Sequence, residues 1–171
     1  MATSTTIWLT GLPCSGKTTI ADSLCLAWNE EGLKAVTLDG DDLRSKLNED
    51  LGFSPEDREE NLRRVAHVAQ LFNDKGLDVI ASFVSPTEKL RKMLKQHIKN
   101  LKVVCVNCSV EECIRRDVKG MYKKALDGEI PNFTGIQAPF EPPEDPWLEV
   151  NTEKDDLKTC VGQIIDKLIK G

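Results

Sequence analysis

The sequence has few aromatic residues, 5% of the chain, including a single tyrosine, and only two histidines. It has no stretch approaching the roughly 20 apolar residues that would cross a bilayer. It also lacks a positive excess, since 23 Lys and Arg stand against 28 Asp and Glu for a formal charge of −5. Broad electrostatic binding to nucleic acid or an anionic membrane surface needs the opposite balance, so neither is expected as a partner. Residues Met1 to Thr6 show neither the basic start nor the apolar run of a secretory leader, and the expected compartment is the cytoplasm.

Forty per cent hydrophobic and 30% charged residues over 171 positions is ordinary globular composition. A chain of this length buries enough apolar surface for one core, and a single domain over residues 1–171 is expected. The six cysteines fall within stretches that read as buried strands or helices, so reduced thiols are expected rather than disulfides. Cys105 and Cys108 have CxxC spacing. No second such pair and no nearby histidine completes four metal ligands, and they read as core filling.

Short β-branched runs alternate with longer helical patterns, which predicts an α/β fold: a parallel sheet with helices on both faces. The strands are expected at Thr5 to Thr10, Ala35 to Leu38, Val79 to Phe83 and Val103 to Val106, with a weaker fifth at Leu148 to Val150. Leu62, Val65, Ala66, Ala69 and Phe72 share one helical face after the start signal Ser54-Pro55-Glu56-Asp57. Leu157, Val161, Ile164, Ile165 and Leu168 predict a closing amphipathic helix. The segment from about residue 118 to 146, with Lys119, Lys123, Lys124 and a proline-rich end, reads as a long, weakly structured lid.

Gly11-Leu12-Pro13-Cys14-Ser15-Gly16-Lys17-Thr18 matches GxxxxGK[ST] between a predicted strand and a helix from Thr19 to about Asn29, the setting of a phosphate-binding loop. Its glycines allow successive N–H groups to face an anion at a helix N-terminus. Lys17 is placed to reach the β- and γ-phosphates of ATP, and the Thr18 hydroxyl to ligate Mg²⁺. Pro13 removes one backbone donor from the cradle.

Asp39-Gly40-Asp41-Asp42 follows the second strand, at the end of the sheet where open α/β folds bind ligands. Asp39 or Asp41 is suited to ordering Mg²⁺ and its waters, and Asp41 to accepting a proton from an acceptor hydroxyl. Asp42 reads as a helix N-cap. Phe53, Arg58, Asn61 and the arginines around them offer a ring for a base and cations for phosphate or sulfate. Ser85 lies in a turn beyond the third strand, beside the acceptor.

Together these blocks resemble the adenylylsulfate kinase family: Gly11 to Thr19; Leu38-Asp-Gly-Asp-Asp-Leu-Arg44; Leu51 to Arg64; and Arg116 to Tyr122 with Phe133-Thr-Gly-Ile136. The resemblance implies a P-loop NTPase fold and transfer of phosphate from ATP to the ribose 3′-hydroxyl of adenosine 5′-phosphosulfate. It implies that Asp41, Arg44, Phe53, Arg58 and Asn61 bind that acceptor, with Val84 and Ser85 contacting it and Phe133 sandwiching its adenine against Phe53. Ser85 matches a serine the family records as a phosphoserine intermediate, and in-line transfer makes it an acceptor-positioning residue. Arg116 is implied beside the ATP adenine and Lys119 near the transferred phosphate, and a homodimer is the common assembly. Four places depart from the family pattern: Leu12 to Ser15, Thr87, Pro131-Asn132 and Gln137. The alternatives are a kinase of this fold acting on another nucleotide-like acceptor, and a regulatory module that binds ATP without an acceptor.

Overall fold

A computed structural model describes residues 4–170. Five parallel strands form one sheet in the order β2-β3-β1-β4-β5: β1 Thr6–Thr10, β2 Ala35–Asp39, β3 Asp78–Ser82, β4 Leu101–Asn107 and β5 Leu148–Asn151. All five expected strands are present, the weak fifth included.

The connecting helices are α1 Lys17–Glu30, α2 Gly40–Arg44, α3 Pro55–Asp74, α4 Glu88–His97, α5 Val110–Arg116, α6 Met121–Leu126 and α7 Leu157–Lys170. Alternation along β1 assigns them to layers. Ile7 and Leu9 point to one face, where Ile20, Ala21 and Leu24 of α1 meet Cys160, Val161 and Ile164 of α7. Trp8 points to the other, against Leu62, Val65, Ala66 and Ala69 of α3 and Leu90 and Leu94 of α4. Burying each such Val, Leu or Ile contributes about 1.5–3 kcal/mol, so both helical layers are held chiefly by these stripes.

The α3 start is built as its residues dictate: Ser54 accepts from the Asp57 N–H at 3.0 Å, and Pro55 occupies the first turn. α4 has no comparable signature in its sequence. Its cap is Thr87, whose hydroxyl accepts from the Leu90 N–H, so one departure from the family pattern serves as a helix start.

β1 and β3 are neighbours, yet the chain leaves β1 through α1 on one face and β3 through α4 on the other. Their carboxyl ends therefore open onto a crevice, the usual ligand position in such sheets. Beyond it, residues 118–146 are more ordered than their composition suggested. They contain α6, a bridge between Thr134 and Ala138, and a proline-rich strap fastened to α4. Arg91, 1% exposed, makes that fastening by donating to the Glu141 and Ser85 carbonyls at 2.7 Å each and pairing with Glu88.

Candidate active site

The loop after β1 has the shape its glycines require. A Cβ at Gly11 would lie 2.6 Å from the Val106 carbonyl oxygen, and Gly16 adopts φ 94° immediately before α1. α1 has no side-chain cap and no acid in its first turn, so its opening N–H groups and dipole face the loop uncompensated. Lys17 is buried and donates to the carbonyls of Gly11 at 3.1 Å and Leu12 at 2.6 Å. Burial pulls its ammonium down to about 8. Thr19, in the same first turn, is exposed.

Thr18 donates to Asp39 Oδ2 at 2.9 Å and lies 3.3 Å from the Ser82 hydroxyl at the end of β3. Asp39 also caps α2, its Oδ1 accepting from the Asp41 N–H at 2.9 Å. The cap of that helix is therefore Asp39 rather than Asp42, which sits in the first turn and pairs with Lys46 at 3.9 Å. The strand end carries the capping geometry because Asp39 is the last extended residue before the turn. Thr18, Asp39 and Ser82 present hard oxygen donors at one point, a set that fits Mg²⁺ with its remaining positions filled by water and phosphate.

The residues expected to meet the acceptor form a second group. Phe53 is 60% exposed, and the Arg44 guanidinium lies 4.5 Å from its ring centroid, with that of Arg58 at 6.0 Å. Arg58 also donates to the Phe53 carbonyl at 3.0 Å, to Thr134 Oγ1 at 3.2 Å and to the Asn132 carbonyl at 2.9 Å, clamping the Phe133 segment onto α3. Phe133 is buried, its ring edge-on to Tyr122. Asn61 is buried as well, its Oδ1 accepting from Asn48 Nδ2 at 2.9 Å. Lys119, in the segment 118–146, forms an ion pair with Asp41. Ser85 is 2% exposed at φ 44°, its hydroxyl accepting from Trp8 Nε1 at 2.9 Å, while the preceding Val84 offers its carbonyl to Thr10.

Arg116 does not meet the loop directly. It donates to Thr152 Oγ1 at 3.1 Å and to the Thr152 carbonyl at 2.8 Å, and the Thr152 hydroxyl donates to the Ser15 carbonyl at 2.7 Å. Thr152, Asn48, Ser82 and Arg91 escaped sequence reasoning. Ser82 and Thr152 carried a signal, their places at the carboxyl ends of the third and fifth strands.

Two departures now have physical reasons. Asn132 has φ 56° and Cys14 φ 61°, so both stand in left-handed backbone, and asparagine tolerates it better than most residues. Gln137 uses both ends of its amide, accepting from the Phe133 N–H at 2.9 Å and donating to the Ala125 carbonyl at 2.7 Å. Cys105 is buried in β4, whereas Cys108 packs on the lid-side cluster, and all six thiols are free.

A family model described as adenylylsulphate kinase matches residues 3–151. The chain belongs to the adenylylsulfate kinase family. The adenylyl-sulfate kinase of Prochlorococcus marinus is 47% identical over 171 residues, covering 98% of this chain and 84% of that protein. That of Pseudomonas entomophila is 48% identical over 166 residues, covering 96% and 80%. The solved structure of the Mycobacterium tuberculosis APS kinase CysC in complex with AMPPNP and APS superposes with a TM-score of 0.94 at 39% identity, covering 98% of this chain and 99% of that one. No helix among the described residues is long and apolar enough to cross a membrane.

Proposed function

We propose that this adenylylsulfate kinase family member transfers the γ-phosphoryl group of ATP to the ribose 3′-hydroxyl of adenosine 5′-phosphosulfate, giving the 3′-phosphorylated nucleotide and ADP. The observation that supports the reading is the ion pair of Asp41 with Lys119, which joins a cation from the segment 118–146 to the turn where Asp39 meets Thr18 of the phosphate loop.

The α1 N-terminus, the loop N–H groups and Lys17 bind the β- and γ-phosphates. Arg44 and Arg58 meet the anionic phosphosulfate, and Phe53 and Phe133 hold the acceptor's adenine. Asn61, in a carboxamide pair with Asn48, is held in one orientation. Asp41 orients the 3′-hydroxyl and takes its proton as the oxygen attacks the γ-phosphorus in line. The bond from that phosphorus to the β-bridging oxygen breaks, and ADP leaves with the electron pair. Lys119 stabilises charge on the equatorial oxygens in transit. Ser85, with its hydroxyl engaged by Trp8, shapes the turn beside the acceptor and forms no covalent intermediate. Mg²⁺, held through Thr18 and Asp39, supplies charge neutralisation on the phosphates. The segment 118–146 acts as a lid that excludes water and so suppresses ATP hydrolysis. The family resemblance also carries a homodimer into this reading, checked by light scattering on the eluting protein.

A coupled ADP-release assay with adenylylsulfate and a panel of other nucleotides tests the assignment. Adenylylsulfate is expected to give by far the highest kcat/KM, with the new phosphate on the 3′ oxygen. A better substrate elsewhere in the panel, or ATP turnover indifferent to every acceptor, would sink it.

A further inference from the structure

The donor loop and the acceptor wall share a small core of their own. Leu12 of the phosphate loop packs with Cys113 of α5, Tyr122 and Ala125 of α6, and Phe133, in a cluster separate from the two layers that flank the sheet. Tyr122 stands at its centre with no exposed surface. Its hydroxyl donates to the Pro13 carbonyl at 3.0 Å, and its ring lies edge-on to Phe133 with centroids 5.0 Å apart at 78°. Burial pushes the phenol upward, which keeps that hydroxyl a donor.

The fit is close where Gly135 meets Leu12 and Tyr122, on one side of an open cavity that Leu12 and Gly135 also line. A Cβ at Gly135 would come within 3.0 Å of Leu12 Cδ2 and 3.5 Å of Tyr122 Oη, so glycine lets the turn after Phe133 settle onto the loop. Close-packed cores transmit displacement rather than absorb it. A shift of Pro13 or Leu12 as phosphates dock is passed on through the bond to the Tyr122 hydroxyl and the contact with Gly135.

We propose that Tyr122 is a positioning residue that couples the two nucleotide sites, linking the seating of the Leu12-Pro13 segment around ATP to the placement of Phe133 against the acceptor. This rests on the acceptor assignment above. It also gives Leu12 and Pro13 a role in the loop: one is the plug, and the other offers the carbonyl that Tyr122 holds. Coupling of this kind is reciprocal, each ligand tightening the other by the same factor.

Titration calorimetry on the full chain measures that factor directly, with adenylylsulfate titrated in the absence and presence of saturating AMPPNP and Mg²⁺, and then in the reverse order. The wild-type chain is expected to show mutual tightening of about tenfold, within the roughly 5–150-fold range of such couplings. Tyr122→Phe keeps the ring and removes only the hydroxyl. It is expected to bind each ligand alone within about threefold of wild type while its coupling factor falls to about two or less. Leu12→Ala, which withdraws the plug, is expected to lower the factor as well. An unchanged factor in Tyr122→Phe, or a wild-type chain that binds both ligands with no coupling, overturns the proposal alone. A wild-type chain that binds no adenylylsulfate overturns the functional reading and this inference with it.

Discussion

Lys119 and Asp41 meet across 78 positions of sequence, joining the lid to the short helix after β2. Both side chains are largely exposed, at 64% and 73%, so the pair adds little to stability. Asp41 holds the Lys119 ammonium above its ordinary range, so it remains charged wherever the enzyme works. Lys119→Met should cut kcat by about 100-fold with little change in the unfolding midpoint. Asp41→Ala should nearly abolish transfer, by about 1,000-fold or more, while ATP affinity stays within about twofold. Single-turnover rates beside ATP titrations check both, and wild-type-like turnover in either variant would remove that residue from the mechanism.

Lys17 gives a pH dependence with a defined sign. Its folded value, about 8, lies below the ordinary lysine value of 10.5, so between those limits the unfolded chain binds the extra proton. The contribution to stability therefore rises with pH across that window: the charged lysine is buried at full cost below about 8, and the cost is relieved above it. Affinity for ATP runs the other way. kcat/KM for ATP is expected to fall roughly tenfold per unit above the free-enzyme value, whereas kcat holds to higher pH because bound phosphates favour the ammonium. A kcat/KM profile flat to pH 9.5 would contradict the assignment.

The clamp made by Arg58 demands a fork. Its guanidinium serves the Phe53 carbonyl, the Thr134 hydroxyl and the Asn132 carbonyl together, and an ammonium cannot reproduce that plane. Arg58→Lys should raise KM for adenylylsulfate by about tenfold or more and leave KM for ATP nearly unchanged. Steady-state kinetics with each substrate varied in turn decides it; equal effects on both would place the loss in general folding.

Thr152→Val retains the shape and deletes a hydroxyl that serves the Ser15 carbonyl and Arg116 at once. Leaving such partners unmet costs about 1–3 kcal/mol, so KM for ATP should rise about 5- to 100-fold with acceptor binding little affected. Kinetics with ATP varied tests this, and an unaltered KM would show that Thr152 is packing alone.

The sheet was legible because its strands are short and rich in β-branched and apolar residues, with β1 buried from end to end, and α3 because Ser54 and Pro55 announce it. α4 was not, since its inner face mixes Leu90 and Leu94 with Arg91, whose buried role depends on the Ser85 carbonyl and on that of Glu141, 50 positions along the chain. The phosphate loop stood out as chemical types at fixed spacing, whereas most candidate acceptor residues were singled out by the family resemblance. What holds them did not: Thr152 reaches Ser15 across 137 positions, and Asn48 orients Asn61 from a turn with no pattern of its own. A motif advertises the groups that meet a ligand, while the partners that fix those groups are chosen by three-dimensional proximity.

Cys14 at φ 61° makes the same point from inside the motif. Its conformation is strained for any L side chain and worst for a β-branched one. Cys14→Val should lower stability by about 1–2 kcal/mol, read as a fall in the denaturation midpoint, and AMPPNP with Mg²⁺ should restore part of it. A midpoint equal to wild type would mean that the loop relaxes without cost.

The bond from Thr152 to Ser15 also bears on how the protein comes into being. The phosphate loop is made well before the residue that completes it, since its Ser15 carbonyl and the Arg116 side chain wait for Thr152, just beyond the last strand. A growing chain thus displays the complete loop motif while the 137 positions from Ser15 to Thr152 are added, without owning a finished nucleotide site. Tight retention of ATP should appear only when β5 takes its place at the edge of the sheet, so that nucleotide capture reports completion of the fold.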